Sequence, residues 1–451
     1  MNLLITNPQE FQAYVIARSL RAEADRIVIT EGGDSVASTG FRGMVAYSRF
    51  VDARYRVPCF SDDWLAGRLE DENTEAEEAY IQRIEDICAL EGVDVIFPSL
   101  DPEVYLFAKN KQRLQDKGIL VVVPEPEIVR VPMDKALTIQ AAQRAGFPCP
   151  KTYFPARESD LERIVEESSP PWIVKPRFTA HGAHMVYVPD SAALPAAVAR
   201  VGDFQQLPVV QEYLLGGLRR NFFIMVGRDS EILSLLSPVM VRAFRSGYKV
   251  STRASISSTA GPFLPELRAL VRELRLWGTY GIQTQVDPRD GVPKLLEINA
   301  RFGHHLWCRT GLGVNEPSIF LQLAQGKQPS GNLKFPEGVA LLDPIGDFFY
   351  LCHQVIGSLR LPVRLLLGRG RGRATEVSDV NPQGVLETLR MYRRDYLNRR
   401  RKVFCPEFSS LLDDPWPCIH YFWFKLRGLI ANYLLELPAP REPAPVSRTP
   451  Q

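Results

Sequence analysis

QTQVDPRDGVPKLLEINAR, residues 283–301, decides how this chain is read. PRDGV is a turn between two stretches of strand, and side chains on a strand alternate between faces. Glu297, Asn299 and Arg301 therefore share one face, while Leu296, Ile298 and Ala300 take the other. With the turn centred on Asp290, Gln283 lies directly across the hairpin from Glu297, and Gln283 and Gln285 belong to that same polar face. Carboxylate and amide oxygens are the ligands that Mg2+ selects, and the ion keeps its other positions for water and phosphate oxygens. Arg301 adds the planar fork that suits a phosphate or an oxyanion. The combination describes a wall for the phosphate end of a nucleoside triphosphate, although a solvated polar strand face fits Glu297, Asn299 and Arg301 taken alone.

Segments upstream supply the remaining parts of such a site. Asp134 is a helix N-cap, Lys135 opens the helix, and Gly146 with Pro148 stops it. WIVKP (172–176) is a strand ending at Lys175 ahead of the turn RFTAHGAHM, where an ammonium group reaches phosphate oxygens. VVQEYL (209–214) is a strand whose edge amides suit adenine, with Glu212 near the amino group or the sugar. YKVSTRAS (248–255) puts Lys249, Ser251 and Arg253 on one strand face, and His304 and His305 follow the Glu297 strand directly. This middle stretch reads as α+β, built from hairpins.

The first third has a different texture. Asn2 to Thr6, RIVIT (26–30), VDVIFPS (93–99) and ILVVVP (119–124) are short apolar strands, and FQAYVIARSL and PEVYLFAKNKQRLQ are helices between them. That alternation predicts a parallel sheet covered on both faces. The first strand runs into Asn7-Pro8-Gln9-Glu10 instead of a glycine fingerprint, which argues against a dinucleotide-binding fold.

A chain of 451 residues with 45% hydrophobic and 24% charged residues suits two or three packed domains. Its net charge of +2 points to no nucleic-acid partner. The seven cysteines are scattered without a CxxC pair, which argues against a disulfide framework and a zinc site. Together with an N-terminus unlike a signal peptide, they predict a cytoplasmic protein.

In their order along the chain, Asp134-Lys135, IVKP (173–176), QEYL (211–214), the Gln283 to Glu297 spacing and EINAR (297–301) resemble the ATP-grasp superfamily. The resemblance covers residues 1 to about 330. It implies an α/β and α+β fold of ATP-grasp architecture: an N-terminal parallel-sheet domain (1–124) and two grasping lobes (125–330); composition adds an extra basic and aromatic C-terminal region (331–438) and a Pro-rich, disordered tail (439–451). It implies that Lys135 and Lys175 hold ATP phosphates, that the backbone of Gln211, Glu212, Tyr213 and Leu214 holds adenine, and that Gln283, Glu297 and Asn299 bind two Mg2+ ions, or Mn2+ in their place. Arg301 would stabilise the transferring phosphoryl group. Two departures stand out: the loop 177–184 has one glycine, which shifts phosphate cover towards His181 and His184, and GGLRRN follows QEYL, which leaves Arg219 or Arg220 to face phosphate or substrate.

The reaction implied is an ATP-dependent joining of a carboxylate to an amine, such as an amino acid, through an acyl phosphate with release of ADP and phosphate. Lys249 and Arg253 are the expected cations for the carboxylate, and His304 and His305 the expected contacts to amine or oxyanion. A thiol or ammonia acceptor is the nearest alternative. A regulatory or scaffold protein that merely binds ATP is a different one, disfavoured by the complete set Gln283, Glu297, Asn299 and Arg301. No AMKM-like segment suggests a biotin carrier. The resemblance is compatible with a homodimer. The aromatic run PWPCIHYFWFKLRGLIANYLL, flanked by basic runs, is too interrupted to span a bilayer and reads as a packed helix, a dimer contact, or a peripheral contact to a membrane or a lipid-linked substrate.

Overall fold

The computed structural model describes residues 1–7, 11–32, 43–60, 71–178, 184–204, 207–215, 219–246, 249–259, 261–329, 333–352, 355, 385–397 and 401–433. The first five strands are β1 (Asn2–Thr6), β2 (Arg26–Gly32), β3 (Ala53–Val57), β4 (Val95–Phe97) and β5 (Leu120–Val121). They form one parallel sheet in the order β3-β2-β1-β4-β5. The order reverses between β1 and β4, and just beyond the carboxyl end of β4 Asp101 meets Arg301. Helices Phe11–Leu20, Glu75–Glu91 and Asp101–Lys109 alternate with the strands, as the apolar runs require. Helix Glu75–Glu91 starts with a capping box, in which Thr74 and Glu77 satisfy each other's backbone N–H groups, and ends at Gly92 in the left-handed conformation.

Two four-stranded sheets follow, with a third that extends into the C-terminal region. β6 (Thr152–Tyr153), β7 (Trp172–Lys175), β8 (Val186–Val188) and β9 (Val209–Glu212) pair antiparallel in the order β6-β9-β7-β8. β10 (Phe222–Val226), β11 (Ile232–Leu236), β12 (Val239–Ser246), β13 (Lys249–Ile256), β14 (Gly278–Val286) and β15 (Pro293–Asn299) complete the middle of the chain. Of these, β11-β10-β14-β15 form one antiparallel sheet. Every residue of β10, FFIMV, is buried, which fits its central place in that sheet. β12 and β13 pair with each other and then with β16 (Ala340–Leu342), which takes β17 (Lys402–Phe404) in parallel.

One apolar cluster runs from Leu4 and Val28 in the first sheet through Phe107 and Ile139 to Tyr280, Ile282 and Ile298 in the hairpin β14-β15. The N-terminal sheet and the hairpin that carries the polar face therefore share a core. The helix Lys135–Arg144 sits in the same cluster through Ile139, Ala141 and Ala142, so its first residue is held against β15. A second cluster joins Ile5 and Tyr14 to Trp277, Phe320 and Leu341.

Within that second region lies a fully buried ion pair. Arg309 Nη1 stands 2.5 Å from a Glu316 carboxylate oxygen, and Ser234 donates to the other oxygen at 2.7 Å. The Arg309 guanidinium also lies over the rings of Phe223 and Phe302, at 5.6 Å from each. Removing one partner of such a pair strands the other charge in a dry core. Glu316→Ala is expected to cost about 3–5 kcal/mol, whereas the double change Arg309→Met with Glu316→Leu costs far less; urea denaturation of the three proteins checks the difference.

Candidate nucleotide site

The hairpin β14-β15 sets Gln283 opposite Glu297, Ile282 opposite Ile298 and Gly281 opposite Asn299. That is the register the turn chemistry predicts. Beyond Gln283 the ladder slips by one at a bulge, so Thr284 faces Leu295 and Gln285 faces Lys294. Ile282, Thr284, Leu295 and Ile298 point into the core, and Gln283, Glu297 and Asn299 stay partly exposed on the opposite face. Near the turn, Asp287 is fully buried and held by Arg289 and Lys294, which keep its carboxyl well below the usual range.

Two lysines meet this face from separate elements. Asp134 caps the helix Lys135–Arg144 by accepting from the N–H groups of Ala136 (2.8 Å) and Leu137 (3.3 Å), and Arg177 pairs with the same carboxylate. The Lys135 backbone N–H donates to the Arg177 carbonyl at 3.2 Å. These contacts fix the Lys135 stem, and its ammonium lies 3.9 Å from a Glu297 oxygen. Lys175, at the end of β7, donates to Gln211 Oε1 on the neighbouring β9 at 2.7 Å, and Gln211 donates onward to Thr152 at 2.8 Å. Lys135 and Lys175 are only 4% and 5% exposed. Burial lowers the affinity of both for a proton, and in Lys175 the positive charge of Lys135 adds to the effect, bringing it down to about 7.

The QEYL segment bridges the lobes. The Tyr213 N–H donates to Pro171 O at 3.0 Å, its ring meets Tyr187 edge-on at 5.1 Å, and the Leu214 carbonyl accepts from Gln285 Nε2 at 2.9 Å. Glu212 forms an ion pair with Arg289 at 2.6 Å, so its carboxylate faces the hairpin turn. The two arginines after this segment diverge. Arg219 bridges to Gln285 through the backbone and adds positive charge near Lys175, whereas Arg220 bonds Ser237 and Thr259 O and lies over the Phe263 ring.

Arg301 shows a connection absent from the motif. Its Nε donates to Asp101 Oδ2 at 2.8 Å and its Nη1 to Phe302 O at 3.2 Å. Asp101 opens the helix after β4, so the N-terminal domain orients the last residue of EINAR. Nothing in the spacing from 101 to 301 marks the pair. His304 is exposed, whereas His305 stacks on Phe223 at 4.9 Å, and burial holds its imidazole neutral, down to about 3. Lys249 and Arg253 lie on β13, but their side chains, like His181 and Gly182, fall outside the described residues. Among the described residues no three His, Cys, Asp or Glu side chains gather as a metal cluster, so an ion here would rest on Glu297 with amide oxygens.

A parallel-sheet domain is followed by two antiparallel lobes, and Lys135 and Lys175 meet the Glu297 face where they join. Residues 133–304 match the family model of the ATP-grasp domain. Phosphoribosylamine-glycine ligase of Caulobacter vibrioides is 24% identical over 266 residues, which cover 54% of this chain and 61% of that protein; the chain thus spans less than two thirds of this relative's length. The biotin carboxylase domain of Hydrogenobacter thermophilus 2-oxoglutarate carboxylase, solved with MgADP, ADP and bicarbonate, superposes with a TM-score of 0.57 at 15% identity over 75% of this chain and 73% of that one. N5-carboxyaminoimidazole ribonucleotide synthetase in its ADP complex gives 0.56 at 13% identity over 86% and 95%. At these identities the likeness is one of fold, and it agrees with the architecture expected from the motifs.

The depressed Lys175 has a consequence for stability. Between about pH 7 and the ordinary lysine range the folded chain binds fewer protons than the unfolded one, so this group makes stability rise with pH across that window. Lys175→Met should flatten the rise and be no less stable than the parent at pH 7. Chemical denaturation of both proteins at pH 7 and pH 9 reads the slope directly.

Proposed function

We propose that the chain is an ATP-dependent ligase that activates a carboxylate as an acyl phosphate and joins it to an amine. The observation that carries this reading is the convergence of buried Lys135 and Lys175 on the Glu297 face. Two desolvated cations beside one carboxylate suit a polyanion, and phosphoryl transfer needs positioned charge more than general acid-base groups. In this reading Lys135 and Lys175 bind ATP phosphates, and the backbone from Gln211 to Leu214 takes the adenine edge. Gln283, Glu297 and Asn299 would hold Mg2+, which when bound supplies charge neutralisation at the phosphates. The relatives solved with ADP, one of them with MgADP, support the choice of nucleotide and metal.

The substrate carboxylate oxygen attacks the γ-phosphorus, the bond to the β–γ bridging oxygen breaks, and ADP leaves. Arg301, oriented by Asp101, neutralises charge on the transferring group. The amine then attacks the acyl carbon and expels phosphate, losing its proton to water. Lys249 and Arg253 on β13 are assigned to the incoming carboxylate, and exposed His304 to the amine side. His305, stacked and neutral, is better suited to support the wall than to carry charge.

Offering Mg-ATP with a panel of carboxylates and hydroxylamine should yield ADP together with a hydroxamate for at least one acid; ADP release without hydroxamate across a broad panel refutes the ligase, and absence of nucleotide binding refutes the site. Glu297→Gln should fold normally and lose at least about a hundredfold in metal-dependent turnover. Asp101→Asn should lower turnover about tenfold with a smaller change in MgADP affinity, because it loosens chiefly the group aimed at the γ-phosphate. Steady-state rates and calorimetric binding of MgADP separate these outcomes.

A further inference from the structure

The ATP-grasp reading leaves the C-terminal helix Pro415–Tyr433 without a task. Its inner face is well occupied: Cys418 is buried, His420 stacks on Tyr47 at 4.0 Å, and Phe422 packs against Phe348 and Phe349. The outer face is not what a solvated helix carries. Leu412 is 100% exposed, Trp416 66%, Ile419 39% and Trp423 56%, and Arg427 is exposed after them. Their spacing of four, three, four and four residues sets them in one stripe along the helix and the turn before it. Half-exposed Phe348 lies beside the stripe through its contact with Phe422.

Charge selects among the surfaces that such a ridge fits. The helix contains no Asp or Glu, and residues 359–433 hold 14 Lys and Arg against 7 Asp and Glu in a chain whose net charge is only +2. Several of those acids are also spent internally: Asp395 is buried beside Arg394, Asp414 is buried against Tyr14 and Ser48, and Asp413 pairs with Arg18. A second copy of the chain would set two helices that carry Lys425 and Arg427 and no acidic residue face to face, which like-charge repulsion opposes. An anionic surface complements them. Tryptophan rings suit a boundary between acyl chains and headgroups, where the ring body is buried and the indole N–H stays in a polar layer. Among the described residues no helix is long and apolar enough to cross a membrane, so the ridge could enter only one leaflet's interface.

We propose that the ridge Leu412, Trp416, Ile419 and Trp423 docks the protein onto an anionic lipid bilayer, lying in the interface with Arg427 at the level of the headgroups. The contact is independent of nucleotide chemistry and places the catalytic lobes beside a membrane.

The test is sedimentation of the full chain with vesicles of phosphatidylcholine alone and of phosphatidylcholine containing about 30% phosphatidylglycerol. Binding to the anionic vesicles is expected, weakened when salt rises from about 0.1 M to about 0.5 M. Trp416→Ser with Trp423→Ser should reduce partitioning at least about tenfold while leaving the melting temperature within a few degrees, because both rings project outward. Equal binding to neutral vesicles, no binding to either, or retained binding in the double variant overturns the proposal. So does a concentration-dependent dimer, seen by analytical ultracentrifugation without lipid and abolished by the same two changes, since the ridge would then be a contact between copies of this chain.

Discussion

The burial of two ammonium groups within reach of each other governs the centre of this molecule. Desolvating one lysine is costly, and a neighbouring lysine raises the cost. Lys135 and Lys175 are held there because the structure around them leaves no alternative: Asp134 and Arg177 fix the start of one helix, Gln211 and Thr152 line up along β9 and β6 behind Lys175, and Glu297 supplies a carboxylate. Asp101 and Asp134 lie close by but are engaged by Arg301 and Arg177. The site therefore keeps an excess of positive charge inside a low-dielectric cleft, which is what an anion with several charged oxygens would relieve.

That excess also ties the domains together. Asp101 belongs to the N-terminal sheet domain, Arg301 to the end of the hairpin, and their contact spans 200 residues of sequence. Gln285 and Leu214 join the two lobes in the same way, and Glu212 with Arg289 closes the edge of the cleft. The N-terminal sheet and the hairpin share the apolar core that continues from Leu4 to Ile298, whereas the β6-β9-β7-β8 lobe packs around its own core of Trp172, Val174 and Val210. The fold positions the groups, while the polar links set their final angles.

Much of this was legible in the sequence because period-two alternation is a local signal. Residues 297–299 show the alternation of faces, and a turn centred on Asp290 sets Gln283 against Glu297, although the ladder beside the turn runs one residue off and the bulge restores that pairing. The bulge after Gln283 was not legible, since nothing in the residue types of the two strands marks where the ladder slips. Asp101 and the Arg309–Glu316 pair were silent for a related reason: their partners lie on other elements, and neither spacing nor residue type reveals a contact made by tertiary packing. β3 and the helix Glu75–Glu91 went unread as well, the first because ARYRV is short and mostly polar along an edge.

The sheet β12-β13-β16-β17 has an order of assembly written into it. Its last strand, Lys402–Phe404, pairs with Ala340–Leu342, which pairs in turn with the end of β13. During synthesis the chain emerges from its N-terminus, so both lobes that face the lysines can form while this sheet still lacks its edge. β13, the strand bearing Lys249 and Arg253, is thus embedded in a sheet that closes only after residue 404 has been made. A ribosome-bound or truncated chain ending before that point would leave β16 as the edge of this sheet in place of β17.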